Sequence, residues 1–329
     1  MRTDHSPGPT TSGRLAQDAG SDLGQRAGGT SALAHKLLAT TPMSSRGLHS
    51  VQVGDADAQV VFLHGLFGQG KNWTAIAKAL ADSYRVLLVD LPNHGRSPWT
   101  EHVSYPEVAS AVGDLIDARR TENGSSAPVA VVGHSMGGKV AMALALLRPA
   151  LVGRLCVVDV SPVRYSTRSS FAEFLRGMRQ LDLDQLPDRA AADQALTPYV
   201  PDPKVRGFLL QNLRRQPTSA TESGSSGAGW RWQLNVELLD DQLGELGDWP
   251  TELSGPYLGP TLWVAGENSG YVLPEYASTM RELFPRVQLV TVKRSGHWVH
   301  SDQPEVFLAI LRRFLRGSAN SPEDAEVGR

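Results

Sequence analysis

The amino-acid sequence predicts an α/β fold: a mostly parallel sheet with helices on both faces, interrupted by a helical insertion. Three observations lead there. From Ala58 onward, short continuous apolar runs alternate with segments of helical spacing. Residues 161–259 hold helix signals but no clear strand. A glycine-flanked serine sits between one apolar run and the helical pattern that follows it. An apolar run without alternation marks a strand buried on both faces, and strands separated by helices pair in parallel.

In chain order, residues 1–46 come first. They are rich in Gly, Ser, Thr, Ala and Pro and show no sustained apolar period, so they read as a disordered or organelle-targeting extension. Residues 31–46 lack acids and carry His35, Lys36 and Arg46, with Leu33 and Leu37 one helical turn apart, as in a transit peptide; Asp4, Asp18 and Asp22 lie upstream. No compact apolar segment suggests a secretory signal.

The apolar runs Val60–Leu63, Arg85–Val89, Val129–Val132 and Leu155–Val158 read as strands. Trp73–Ala81, Tyr105–Arg119 and Lys139–Leu147 read as the helices between them, with Pro149 ending the last. The alternation resumes with strand Thr261–Ala265, helix Glu275–Phe284, strand Val287–Val292 and helix Glu305–Leu315. Between the two halves, Phe171–Leu181, Val205–Arg214 and Trp232–Leu246 read as helices of a cap covering about residues 161–259. Inside it, Gln216–Gly229 is a Ser/Gly-rich linker read as a mobile loop. The domain therefore spans 47–316, and 317–329 reads as a disordered tail.

The chain has 329 residues, 41% of them hydrophobic, enough for a sizeable core. Its net charge of −2 points to neither nucleic acid nor an anionic membrane as partner. No stretch reaches the ~20 apolar residues of a membrane span. Cys156, in the run Leu155-Cys156-Val157-Val158, reads as a small buried residue, and a single cysteine forms no intrachain disulfide.

The chemistry concentrates in three motifs. Gly133-His134-Ser135-Met136-Gly137-Gly138 follows a strand and opens a helix. That is a nucleophile elbow, which lifts the Ser135 hydroxyl clear of the sheet beside the positive end of the next helix. His64-Gly65-Leu66-Phe67-Gly68 follows the first buried strand. Acyl transfer needs donors aimed at the developing oxyanion: Met136 N–H supplies one, and Leu66 N–H, ahead of Phe67, the other. Gly296-His297-Trp298-Val299-His300 follows the last strand. A serine hydroxyl needs a base to take its proton. The order Ser, acid, His places that base in this block without choosing between His297 and His300. Flanking Gly296 and the loop position favour His297, leaving His300 a helix-start or packing role. The acid has three candidates. Glu267 lies in the usual loop, Gly266-Glu267-Asn268-Ser269, which has no aspartate; Asp159 ends the strand beside the nucleophile's own; Glu237 lies in the insertion.

With these motifs assembled, residues 50–316 resemble the α/β-hydrolase superfamily, and most of all the abhydrolase domain-containing protein 11 group with its short bacterial esterase relatives. The matching text is His64-Gly-Leu-Phe-Gly68, Val89-Asp-Leu-Pro-Asn-His-Gly-Arg-Ser97, Gly133-His-Ser-Met-Gly-Gly-Lys-Val-Ala-Met142, Val158-Asp-Val-Ser-Pro162, Asn268-Ser-Gly-Tyr-Val272 and Gly296-His-Trp-Val-His300. The block with Lys139 and the Asn268-Ser269 pair are more specific than the superfamily signature. The resemblance implies the α/β-hydrolase fold and hydrolysis of short acyl esters or thioesters. It favours Asp159 as the acid, and implies a mitochondrial address ahead of a cytoplasmic or plastid one.

The sequence thus points to a serine esterase or thioesterase working through an acyl-enzyme on Ser135, with Asp159 and His297 completing the triad and Leu66 and Met136 forming the oxyanion hole. The substrate is a small acyl ester or thioester; no metal or organic cofactor is implied. Carbon–carbon hydrolases and perhydrolases share this triad. A binding or protective partner protein would need neither Ser135 nor His297.

Overall fold

The computed structural model of the protein describes residues 47–165, 170–216 and 229–317. The expectations for residues 1–46, for the linker Gln216–Gly229 apart from its two end residues, and for the tail 317–329 apart from Gly317 lie outside these residues.

Strand β1 (Ser50–Val53) leads into β2 (Gln59–Leu63), a short 3-10 turn, helix α1 (Thr74–Leu80) and β3 (Arg85–Val89). Helix α2 (Tyr105–Glu122), β4 (Val129–His134), α3 (Met136–Leu147) and β5 (Val152–Val158) follow. The insertion then contributes α4 (Ser170–Arg179), α5 (Arg189–Leu196), α6 (Pro203–Leu210), β6 (Leu213–Arg215), β7 (Trp230–Trp232), α7 (Val236–Asp241) and α8 (Leu243–Gly247). The sheet is completed by β8 (Thr261–Gly266), α9 (Ala277–Leu283), β9 (Val287–Val292), α10 (Val299–Asp302) and α11 (Pro304–Arg316).

The main sheet has seven strands in the order β1-β3-β2-β4-β5-β8-β9, with only β1 antiparallel. Val60 pairs with Val86 on one side and Ala130 on the other, and Val158 pairs with Val264. The carboxyl ends of β2, β3, β4, β5, β8 and β9 therefore open on one edge, where open parallel sheets collect their functional groups. Both faces are covered. Leu63, Leu87 and Val131 pack with Ile116 of α2, Leu144 of α3 and Leu283 of α9. Phe62, Leu88 and Val264 pack with Ile76 of α1 and with Phe307 and Leu311 of α11. Each fully buried side chain of this size contributes roughly 1.5–3 kcal/mol.

Helix starts follow local chemistry. The Ser104 hydroxyl accepts Glu107 N–H ahead of α2, and Asp188 and Asp202 cap α5 and α6 in the same way. In α11 the buried residues Phe307, Leu311 and Leu315 recur every four positions, while Glu305, Arg312 and Arg313 face solvent.

Two readings need correction. The insertion is not free of strands: Leu213–Arg215 and Trp230–Trp232 pair as an antiparallel ribbon. Three-residue strands carry no period that a sequence can display. Their stability comes from burial of the two indoles, whose Nε1–H groups donate to Leu186 O and Met178 O at 2.9 and 3.2 Å. The helices expected over 205–214 and 232–246 accordingly shrink to α6, which ends at Leu210, and to the pair α7 and α8, broken at Gln242. The insertion packs its own apolar cluster, including Leu175, Leu209 and Trp232, onto Leu66 and Phe67 of the loop after β2.

Candidate active site

Ser135 sits between the end of β4 and the start of α3 with φ 51° and ψ −120°. A non-glycine residue holds that conformation only where its surroundings impose it. Its N–H donates to Val158 O at 2.9 Å, and its carbonyl accepts Gly138 and Lys139 N–H. The flanking glycines are a matter of space. A Cβ on Gly133 would lie 2.2 Å from Gly137 O, and one on Gly137 would lie 2.5 Å from His64 O. Any side chain there would push α3 off the strand end.

His297 lies in the loop between β9 and α10. Its Nε2 is 3.0 Å from Ser135 Oγ, and its Nδ1 is 2.7 Å from Asp159 Oδ2. A carboxylate only accepts, so Nδ1 carries the hydrogen and Nε2 offers its lone pair to the serine hydroxyl. Asp159 follows β5 with φ 54° and is fully buried. Its Oδ1 accepts Gly266 N–H at 2.9 Å, and Oδ2 also accepts the Ser269 hydroxyl. A buried carboxylate is tolerable only with its lone pairs used, and this one has three partners.

The other acid candidates lie apart. Glu267 is exposed and accepts Arg294 N–H at 2.9 Å. Glu237 lies on the surface of α7, paired with Arg179 at 2.7 Å and 67% exposed. His300 stacks on Trp73 at 4.2 Å, and burial pulls it down to about 3. His134 donates Nε2–H to His297 O at 2.9 Å and is likewise held neutral by burial.

The loop after β2 is shaped by two more buried histidines. His94 Nε2 accepts Phe67 N–H at 3.2 Å, and His64 Nε2 accepts Leu91 N–H at 2.9 Å. The Phe67 amide is thereby taken by His94 and is not free to meet an oxyanion. Met136 occupies the first position of α3, where a helix N–H has no intrahelical acceptor. A cavity of about 400 Å³ opens beside Ser135, lined among others by Leu66, Met136, Lys139, Tyr165 and Tyr271. A further niche of about 10 Å³, the size of a water molecule, touches Ser135 and His297 and is walled by Phe67, Phe171, Phe174, Phe208 and Trp298.

The roles of three neighbours escaped the sequence reading. Ser269 was visible only as the residue standing where an aspartate is usual. Tyr271 stacks on His297 with ring centroids 4.1 Å apart. Lys139 is buried one turn after Ser135 and donates Nζ–H to Val163, Gly247 and Asp248 carbonyls at 3.1, 2.9 and 2.6 Å.

An alcohol held at the elbow of such a sheet with an imidazole nitrogen 3.0 Å away is the arrangement of a serine hydrolase. The chain belongs to the alpha/beta hydrolase fold family, whose model matches residues 59–304. It is 39% identical to the sn-1-specific diacylglycerol lipase ABHD11 of Mus musculus over 269 residues, 80% of this chain and 82% of that one. It is 29% identical to Esterase YbfF of Escherichia coli (strain K12), over 79% of this chain and 93% of the esterase. A solved marine microorganism esterase superposes with a TM-score of 0.75 at 30% identity, covering 81% of this chain and 98% of that one. By fold, site and kinship it is an ester hydrolase. No helix among the described residues is long and apolar enough to cross a membrane.

Proposed function

We propose that the chain hydrolyses short-chain carboxylic esters or acyl thioesters through an acyl-enzyme on Ser135. The supporting observation is the relay of 3.0 and 2.7 Å from Ser135 through His297 to Asp159, set beside a cavity of about 400 Å³. The cavity takes one arm of the substrate. Because Phe171, Phe174 and Phe208 of the niche belong to the insertion, that segment acts as a lid that sets chain length.

His297 Nε2 takes the Ser135 proton as Oγ attacks the acyl carbon. The oxyanion that forms is met by Leu66 and Met136 N–H. Nε2–H then protonates the departing alkoxide or thiolate. A water enters, gives its proton to Nε2 and attacks the acyl carbon; collapse returns the proton to Ser135 and frees the acid. Asp159 holds Nδ1–H throughout and offsets the charge on the ring. No step calls for a metal or organic cofactor.

Residues 47–316 form the hydrolase unit in this reading, with the lid at about 161–259. Residues 1–46 serve as an organelle address, mitochondrial by kinship with the group named above. Labelling of Ser135 by a fluorophosphonate, followed by a panel of esters and thioesters of graded acyl length, tests the assignment. Absence of label together with absence of turnover across the panel overturns it.

A further inference from the structure

Tyr271 lies five residues beyond the end of β8, and its ring covers one face of His297, with centroids 4.1 Å apart and planes 25° from parallel. The tyrosine is held from several sides. Its carbonyl accepts the Tyr165 hydroxyl at 2.6 Å and the Ser161 hydroxyl at 3.0 Å. Its N–H donates to Ser269 Oγ at 3.3 Å, the same hydroxyl that donates to Asp159. Tyr165 packs edge-on against the ring at 5.1 Å. One serine therefore ties together the acid and the aromatic ring, both of which touch the imidazole.

We propose that Tyr271 is a positioning residue of the acyl-transfer reaction, whose ring face stabilises the imidazolium that forms at His297. This rests on the reading of His297 as the general base. A cation over an aromatic face gains about 0.5–2 kcal/mol from the ring quadrupole, and a neutral imidazole gains much less. The interaction therefore strengthens as the Ser135 proton moves to Nε2, which is where a contact must strengthen to accelerate a reaction. It also covers a ring face that water would otherwise reach.

The groups around the imidazole leave this role to Tyr271. Asp159 faces Nδ1 and Ser135 faces Nε2. His134, with its ring 4.7 Å away, and His300 behind it are held neutral by burial. Trp298 stands further off, at 5.8 Å and steeply inclined. Lys139 lines the same cavity but binds three carbonyls and is common to every variant below. The tyrosine hydroxyl is raised above its ordinary value by burial, so the ring stays neutral at and below neutral pH.

The test is the acid limb of kcat/KM against pH. At 1.36 kcal/mol per unit, loss of the ring moves the midpoint of that limb to lower pH by about 0.4–1.5 units. Tyr271→Leu and Tyr271→Met both show this shift, and Tyr271→Phe, which keeps the ring, restores the wild-type midpoint. Two non-aromatic variants are used so that a folding defect in one leaves the comparison intact. A structural role alone lowers turnover without moving the limb, so coincident midpoints for Leu, Met and Phe overturn the inference. Ser135→Ala separates the two levels. If it retains turnover, the nucleophile reading fails; if it is inactive while the midpoints coincide, only the role of Tyr271 fails.

Discussion

Ser269 donates its hydroxyl hydrogen to Oδ2 of Asp159, the same oxygen that accepts His297 Nδ1–H. The loop after β8 thus supplies a donor where its position would suit an acid. The carboxylate itself arrives from the end of β5, one strand nearer Ser135. Asp159→Asn keeps the volume but presents an amide that favours the wrong imidazole tautomer. In a serine protease that exchange lowers turnover ~10⁴-fold, and a similar or smaller loss is expected here. Glu267→Gln and Glu237→Gln change turnover far less. Turnover of the three single variants on one short-chain ester decides the matter, and a larger loss in either glutamine variant would reassign the acid.

Ser269→Ala removes one donor to Asp159 and one acceptor from Tyr271 N–H. A hydrogen bond to a charged group contributes about 1.5–3 kcal/mol. Part of that reaches the barrier, so kcat is expected to fall about tenfold. Ser269→Thr, which keeps the hydroxyl, should recover most of the loss. Equal activity of the alanine variant and wild type would show that Gly266 N–H alone orients the carboxylate.

Ser135→Ala is expected to abolish nearly all ester hydrolysis and all fluorophosphonate labelling while the fold persists. The residual from the oxyanion hole and binding alone can still exceed the water reaction by ~10³-fold. Wild-type turnover in this variant would sink the functional reading as a whole.

Removal of residues 1–46 is expected to leave both melting temperature and turnover essentially unchanged. A truncated chain that fails to fold would make the segment structural and remove the ground for treating it as an address.

The sequence makes most of the sheet legible, because β2, β3, β4, β5 and β8 are buried on both faces and show as unbroken apolar runs. β1 does not show, since Val51 and Gln52 are exposed and its existence depends on pairing with Val89 and its neighbours. The elbow is legible because strain and crowding admit only glycine at 133 and 137. Asp159 stands out through an absence at Ser269, but the use of that serine does not, since a neutral hydroxyl carries no signature until its distance to a carboxylate is known. The stacking of Tyr271 on His297 is likewise a relation between distant loops. Lys139 falls in an otherwise apolar helix face, and only the three carbonyls converging on its ammonium explain how a charge is accommodated there.

Those carbonyls give the last prediction. Lys139 Nζ donates to Val163, at the entry to the insertion, and to Gly247 and Asp248, at the end of α8. Tyr165 N–H donates to Gly247 O at 2.8 Å, so both arms of the insertion are drawn together beside Lys139 of α3. The rings of Tyr165 and Tyr105 lie 4.9 and 5.6 Å from the ammonium. Burial lowers the ammonium to about 7, with Asp248 opposing. The folded chain therefore releases this proton at lower pH than the unfolded chain, whose lysine holds it to about 10.4. Between these values the unfolded state binds more protons, so this group's contribution to stability rises with pH, by at most about 1.4 kcal/mol per unit. Lys139→Met keeps the volume, removes the charge and leaves three carbonyls without their donor. The difference in unfolding free energy between wild type and Lys139→Met should accordingly shift in favour of wild type from pH 6.5 to pH 9, with other titrating groups cancelling in the comparison. With the clamp gone, KM should rise by a larger factor than kcat falls, because the lid loses its register over the cavity before the relay at Ser135 is disturbed. Denaturant unfolding of both proteins across that pH range measures the first effect and steady-state kinetics the second. A difference that stays flat with pH would mean that the carbonyl cage holds the proton throughout.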